Sequence, residues 1–94
     1  MDDQWTALAN AIVLQAALDW LGANKFIEKY EDSDSYRVKI RVSMARYIKH
    51  ESECFFLGER ITYFTDLDGR YILKLLKEEA ETRKDDPYGF AFVL

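Results

Sequence analysis

Helix breakers are scarce in this chain. Proline occurs once, at Pro87, and glycine four times, at Gly22, Gly58, Gly69 and Gly89. Proline removes a backbone donor and clashes with the preceding helical turn, and glycine loses more backbone freedom in a helix than any other residue. A sequence with so few of either can sustain long helices, and the glycines mark where those helices stop. The apolar residues agree. Between residues 4 and 31, Trp5, Leu8, Ala9, Ile12, Ala16, Trp20, Ala23, Ile27 and Tyr30 recur at a helical period and form one stripe. Ala7, Ala11, Leu14, Leu18 and Leu21 form a second set on roughly the opposite side. A helix with one solvated face would not carry them, so this helix is expected at the centre of a bundle or covered by another copy of the protein. Gly22 offers an alternative stop, with Asn24 opening a new helix.

An acidic turn follows, Glu31-Asp32-Ser33-Asp34-Ser35, rich in residues that cap helices. Residues 36–42 alternate as a half-buried strand would. A helical reading fits a longer window: Tyr36, Ile40, Met44, Tyr47, Ile48, Cys54 and Phe55 make an apolar stripe. A lone strand would also leave its backbone groups unpaired, so the pattern predicts a helix over 36–57. Gly58 interrupts it, and residues 59–64 can form a short helical turn. Thr65-x-x-Asp68 has the spacing of a capping box for a last helix, with its stripe at Tyr71, Ile72, Leu75 and Leu76 and its end near Arg83. The remaining Tyr88-Gly89-Phe90-Ala91-Phe92-Val93-Leu94 is apolar. Such a strip is expected to fold back on its own helices, or to dock on a neighbouring subunit or a target. The expected fold is therefore all-α, a small bundle of three to four helices in one domain spanning residues 1–94.

Composition narrows the function. With 13 basic against 17 acidic residues and a net charge of −4, a general nucleic-acid binder is not expected, because phosphate recognition requires a basic face. The single cysteine, Cys54, allows no internal disulfide. The N-terminus carries no basic and apolar leader pattern, and no uninterrupted apolar run approaches the ~20 residues of a membrane helix, so no membrane association is expected.

Candidate chemistry is sparse. Asp66-x-Asp68-Gly69 has the rhythm of a calcium loop. With Gly69 at the sixth position, the first and twelfth positions would be Phe64 and Leu75, which cannot ligate. Thr65, Asp66 and Asp68 are therefore read as helix-capping residues and no metal is expected. His50 and Cys54 are four apart, but two ligands do not close a zinc site and no further His or Cys exists; Cys54 is expected to pack as a small apolar side chain. No catalytic residue or cofactor is assigned.

Two features point to interactions instead. Glu51 falls within the apolar stripe of residues 36–57, between Ile48 and Phe55, where a carboxylate needs a tyrosine hydroxyl, a backbone N–H or an arginine, or else an interface partner. Arg37, Lys39, Arg41, Arg46 and Lys49 form a cationic run with no acid between Ser35 and His50. Such a run serves as a solvated face or as a surface for an acidic protein patch or a phosphate. The aromatics Tyr88, Phe90 and Phe92 are the remaining interaction candidates.

Ala11-Ile12-Val13-Leu14-Gln15-Ala16 with Asp19-Trp20, and Glu53-Cys54-Phe55-Phe56 through Thr65-Asp66-Leu67-Asp68-Gly69-Arg70-Tyr71-Ile72, resemble a group of small, largely uncharacterised proteins of prophages and other mobile elements in Gram-positive bacteria. The shared pattern is I-V-x-Q-A with a following aromatic, then two aromatics and T-D-x-D-G-x-Y-L/I. Gly58 and Arg60 stand where the group usually has serine and tryptophan. The resemblance implies an all-helical fold and a bacterial cytoplasmic setting, and it brings no catalytic residue. By analogy it implies an accessory protein that binds a host protein target, such as a CRISPR effector, and blocks it; the two apolar sides of residues 4–31 add the expectation of a homodimer or larger assembly. Two other readings stay open. One is an oligomer that sequesters a small phosphorylated ligand with Arg37, Arg41 or Lys49, and the other is a self-assembling phage component.

Overall fold

The computed structural model describes residues 3–82. Three α-helices run in the order α1 (Asp3–Tyr30), α2 (Tyr36–Leu57) and α3 (Gly69–Thr82), with a 3-10 turn at Arg60–Tyr63 between the last two. No strand occurs among the described residues, so the fold is all-α, as the periodicity predicts. The apolar C-terminal strip with Tyr88, Phe90 and Phe92 lies outside the described residues.

α1 continues through Gly22 without a break. A glycine inside a helix costs roughly 1 kcal/mol relative to alanine, too little to end this one, because the neighbouring Leu21 and Ala23 are both buried. The acidic turn then starts α2 where the capping residues predict. The Ser35 hydroxyl accepts from the Val38 N–H at 3.5 Å, and the Ser35 N–H donates to Ser33 Oγ at 3.2 Å. Residues 36–42 are helical, so the strand alternative is set aside.

α3 begins later than the proposed capping box requires. α3 starts only at Gly69, and Thr65 still donates its backbone N–H back to Ile61 at 3.1 Å, so Thr65 belongs to the preceding turn and is not the cap. Its hydroxyl accepts from the Leu67 N–H at 3.1 Å, which shapes the turn. Asp68 is the cap: its Oδ1 accepts from the Arg70 N–H at 2.9 Å. Asp66 is exposed and takes no part in that bond.

The core has two parts. Trp20 and Leu21 of α1 meet Phe56, Ile61, Leu73 and Leu76, so all three helices contribute to the larger cluster. Beyond the reach of α3, Ala23 and Ile27 pack on Val42 and Ala45 of α2 alone. Trp5 touches Phe64 at 6.0 Å between centroids, and Phe64 meets Phe55 at 5.9 Å, which ties the start of α1 to the turn after α2.

The faces differ from expectation on two helices. On α2 the stripe Tyr36, Ile40, Met44, Tyr47, Ile48 and Cys54 faces outward, and only Phe55 of that set is half-buried. Val42, Ala45, Ser52 and Phe56 face the core instead. The interior here is built from small side chains that let the α1–α2 hairpin close tightly, so ranking residues by bulk selects the wrong side. On α3, Ile72 and Leu76 point inward as expected, but Leu73 joins them while Tyr71 and Leu75 are exposed. α1 is also more apolar than its runs imply: one 18-residue window reaches a mean hydropathy of 1.2, enough by length and composition for a membrane span. In this fold its buried residues pack against α2 and α3.

Candidate interaction surface

α2 carries three distinct sides. At about 100° per residue, Val38, Val42, Ala45, Lys49, Ser52 and Phe56 cluster on the side facing the rest of the protein. Tyr36, Ile40, Tyr47, Glu51 and Cys54 lie opposite, with Met44 and Ile48 beside them. Tyr36 is 78% exposed, Tyr47 65% and Met44 60%. These large apolar groups are exposed in a row over four turns of one helix, the kind of patch that makes a candidate interaction surface.

Next to that row lies a groove of ≈ 370 Å³ between α1 and α2, with Leu18, Gly22 and Phe26 on one bank and Arg41, Met44 and Ile48 on the other. Gly22 therefore serves as a groove residue and not as a helix stop. Leu18 also finds its place here, while Leu14 stays exposed and Leu21 joins the core. Among the described residues, the second apolar side of α1 is thus only partly covered.

The predicted cations separate. Arg37 and Arg41 lie on the groove side of the apolar row, and Lys39 lies across it, all three exposed. Arg46 pairs with Glu31 at 3.8 Å, an exposed contact. Lys49 turns inward: its Nζ donates to Asn24 Oδ1 at 2.9 Å and sits 5.3 Å over the Trp20 ring. One helical turn further along α2, the Trp20 indole N–H donates to Glu53 Oε2 at 2.8 Å. These two bonds join α1 to α2 and give the buried Asn24 side chain and the Trp20 indole a partner, so Lys49 contributes to the hairpin contact. Sequence reasoning considered Asn24 only as the start of a new helix after Gly22 and assigned no role to the Glu53 carboxylate. Their spacing gave no signal, because both partners lie on the other helix.

Glu51 has the tyrosine contact expected of it, though at the surface: Tyr47 donates its hydroxyl to Glu51 Oε1 at 3.0 Å, and both residues are exposed. That acceptor, and the negative charge behind it, hold the Tyr47 phenol above the usual tyrosine range. Cys54 is exposed and not packed, with its Sγ 3.5 Å from His50 Nε2. Among the described residues no three His, Cys, Asp or Glu side chains converge as metal ligands. At the start of α3, the Arg70 backbone N–H and guanidinium hold the Asp68 carboxyl below the usual carboxylate range.

Compared with known proteins, the chain matches no family model, no curated protein and no solved structure.

Proposed function

We propose that this protein acts by covering another protein's surface and not by catalysis. In this reading it is a small accessory protein of a phage or mobile element that binds a host component and blocks it by steric occlusion. A defence factor such as a CRISPR effector is the target class that the sequence resemblance implies. The observation supporting it is the outer side of α2, where large apolar side chains are exposed in a row with Arg37 and Arg41 on one flank and Lys39 on the other. Aromatic, Met and Arg side chains in one patch are the usual makings of a protein interface. The cations would favour an acidic partner.

Affinity capture from host lysate tests the reading. The tagged chain should retain a discrete host protein, and Lys39→Glu should lose it while keeping the far-UV circular dichroism of the parent. Recovery of nothing but further copies of the chain itself would overturn occlusion and favour a self-assembling component.

A further inference from the structure

The outward row of α2 has an internal order beyond its apolarity. Arg37, Ile40, Met44, Tyr47, Glu51 and Cys54 follow one another at alternating spacings of three and four residues, the repeat by which one helix presents a continuous seam to another. The seam is apolar at its centre, cationic at its first position and anionic at its fifth.

We propose that this seam is covered by a second copy of the protein, α2 packing antiparallel on α2 across a two-fold axis that passes between Met44 and Tyr47. The proposal rests on the reading of the α2 outer side as an interface and names what covers it. A symmetric contact must be self-complementary, because each residue meets the counterpart of its own partner. Antiparallel pairing about that point sets Met44 beside the partner's Tyr47, a sulfur–aromatic contact, and brings Glu51 level with the partner's Ile40. Arg37 and Arg41 stand three residues before and one residue after Ile40 on the same flank, so each Glu51 comes beside two cations of the other copy. The Tyr47 hydroxyl bond uses one lone pair of Glu51, which leaves the others free for a guanidinium. Parallel pairing would instead stack Glu51 on Glu51 and Arg37 on Arg37, and like charges facing each other oppose association. Charge therefore selects the antiparallel arrangement, and polar residues at the ends of an apolar seam fix its register. Lys39 lies outside the seam and is the part of this side that a target would meet once a second copy covers the apolar row.

Sedimentation velocity on the full chain over a concentration series tests this without any target. The parent should form dimers. Arg37→Glu with Arg41→Glu, and separately Glu51→Arg, should each weaken association by about a hundredfold through like-charge contacts. Combining all three substitutions should restore it, and circular dichroism should show every variant equally helical. A parent that stays monomeric throughout, or reversals without effect, or a triple variant that is not rescued, overturns the seam. A monomeric parent that still captures a host protein would give the α2 surface to the target and leave occlusion standing. Rescued dimers that capture nothing would sink occlusion alone.

Discussion

Gly69 lies so close to the backbone of Phe56 that a β-carbon at position 69 would overlap the Phe56 carbonyl oxygen and stand 2.7 Å from its carbon. The first residue of α3 thus rests directly on the end of α2, which lets Leu73 and Leu76 reach Trp20 and Phe56. The glycine is needed for close approach and not for a calcium loop. Gly69→Ala must push α3 away from a rigid backbone atom, an overpacking cost of about 1–3 kcal/mol. Urea denaturation should show that loss, with the parent's helicity retained in the remaining folded fraction. A variant as stable as the parent would mean that α3 can shift freely.

The bond from the Trp20 indole to Glu53 leads to a second expectation. Trp20 is only 2% exposed, and its N–H has this carboxylate as acceptor. Glu53→Ala leaves the donor buried and unpaired, which costs about 1–3 kcal/mol. Glu53→Gln keeps an acceptor and should recover most of that loss. Thermal melts of the two variants side by side check the ordering, and equal destabilisation would assign the effect to lost charge or packing instead.

Asp68 makes the start of α3 sensitive to acid. Its carboxyl is held below the usual range, chiefly because the ionised form accepts the Arg70 backbone N–H. A depressed folded-state pKa stabilises the fold above the unfolded carboxylate pKa, and that contribution disappears as pH falls through the folded value. Asp68→Asn, which retains a side-chain acceptor without the titrating charge, should flatten this part of the acid dependence of the melting temperature. Asp68→Ala should lower stability at neutral pH as well. An unchanged acid profile in Asp68→Asn would exclude the cap as its source.

Much of the architecture was legible because helix punctuation is local. Ser35, Gly58 and the long α1 period place the first two helices from sequence, since caps and breakers act on backbone a few residues away. The side that each helix buries was less legible. It depends on how closely two helices approach, and at the α1–α2 hairpin Ala23 against Ala45 and Val42 sets that distance. Bulk and hydrophobicity alone pointed to Tyr36, Met44 and Tyr47, which the structure leaves outside. The same error hid the candidate surface, because a stripe taken for core is not sought as an interface. The contact of Lys49 was not legible for a related reason: its partner Asn24 is 25 residues distant in sequence and becomes visible only when the hairpin closes.

The reversal of the α2 faces can be tested directly. Met44 and Ile40 are exposed, so Met44→Glu or Ile40→Glu should change stability by no more than about 0.5 kcal/mol at concentrations where the chain is monomeric. Ala45 is the next residue after Met44 yet is buried against α1. Ala45→Glu would force an unpaired carboxylate into that contact and should lose at least about 3 kcal/mol, sufficient to unfold much of a small domain. Chemical denaturation of the pair, read by circular dichroism, isolates orientation from position, since the two sites are adjacent on one helix. Similar losses in both, or the larger loss at Met44, would mean that α2 is rotated and that the apolar row belongs to the core after all.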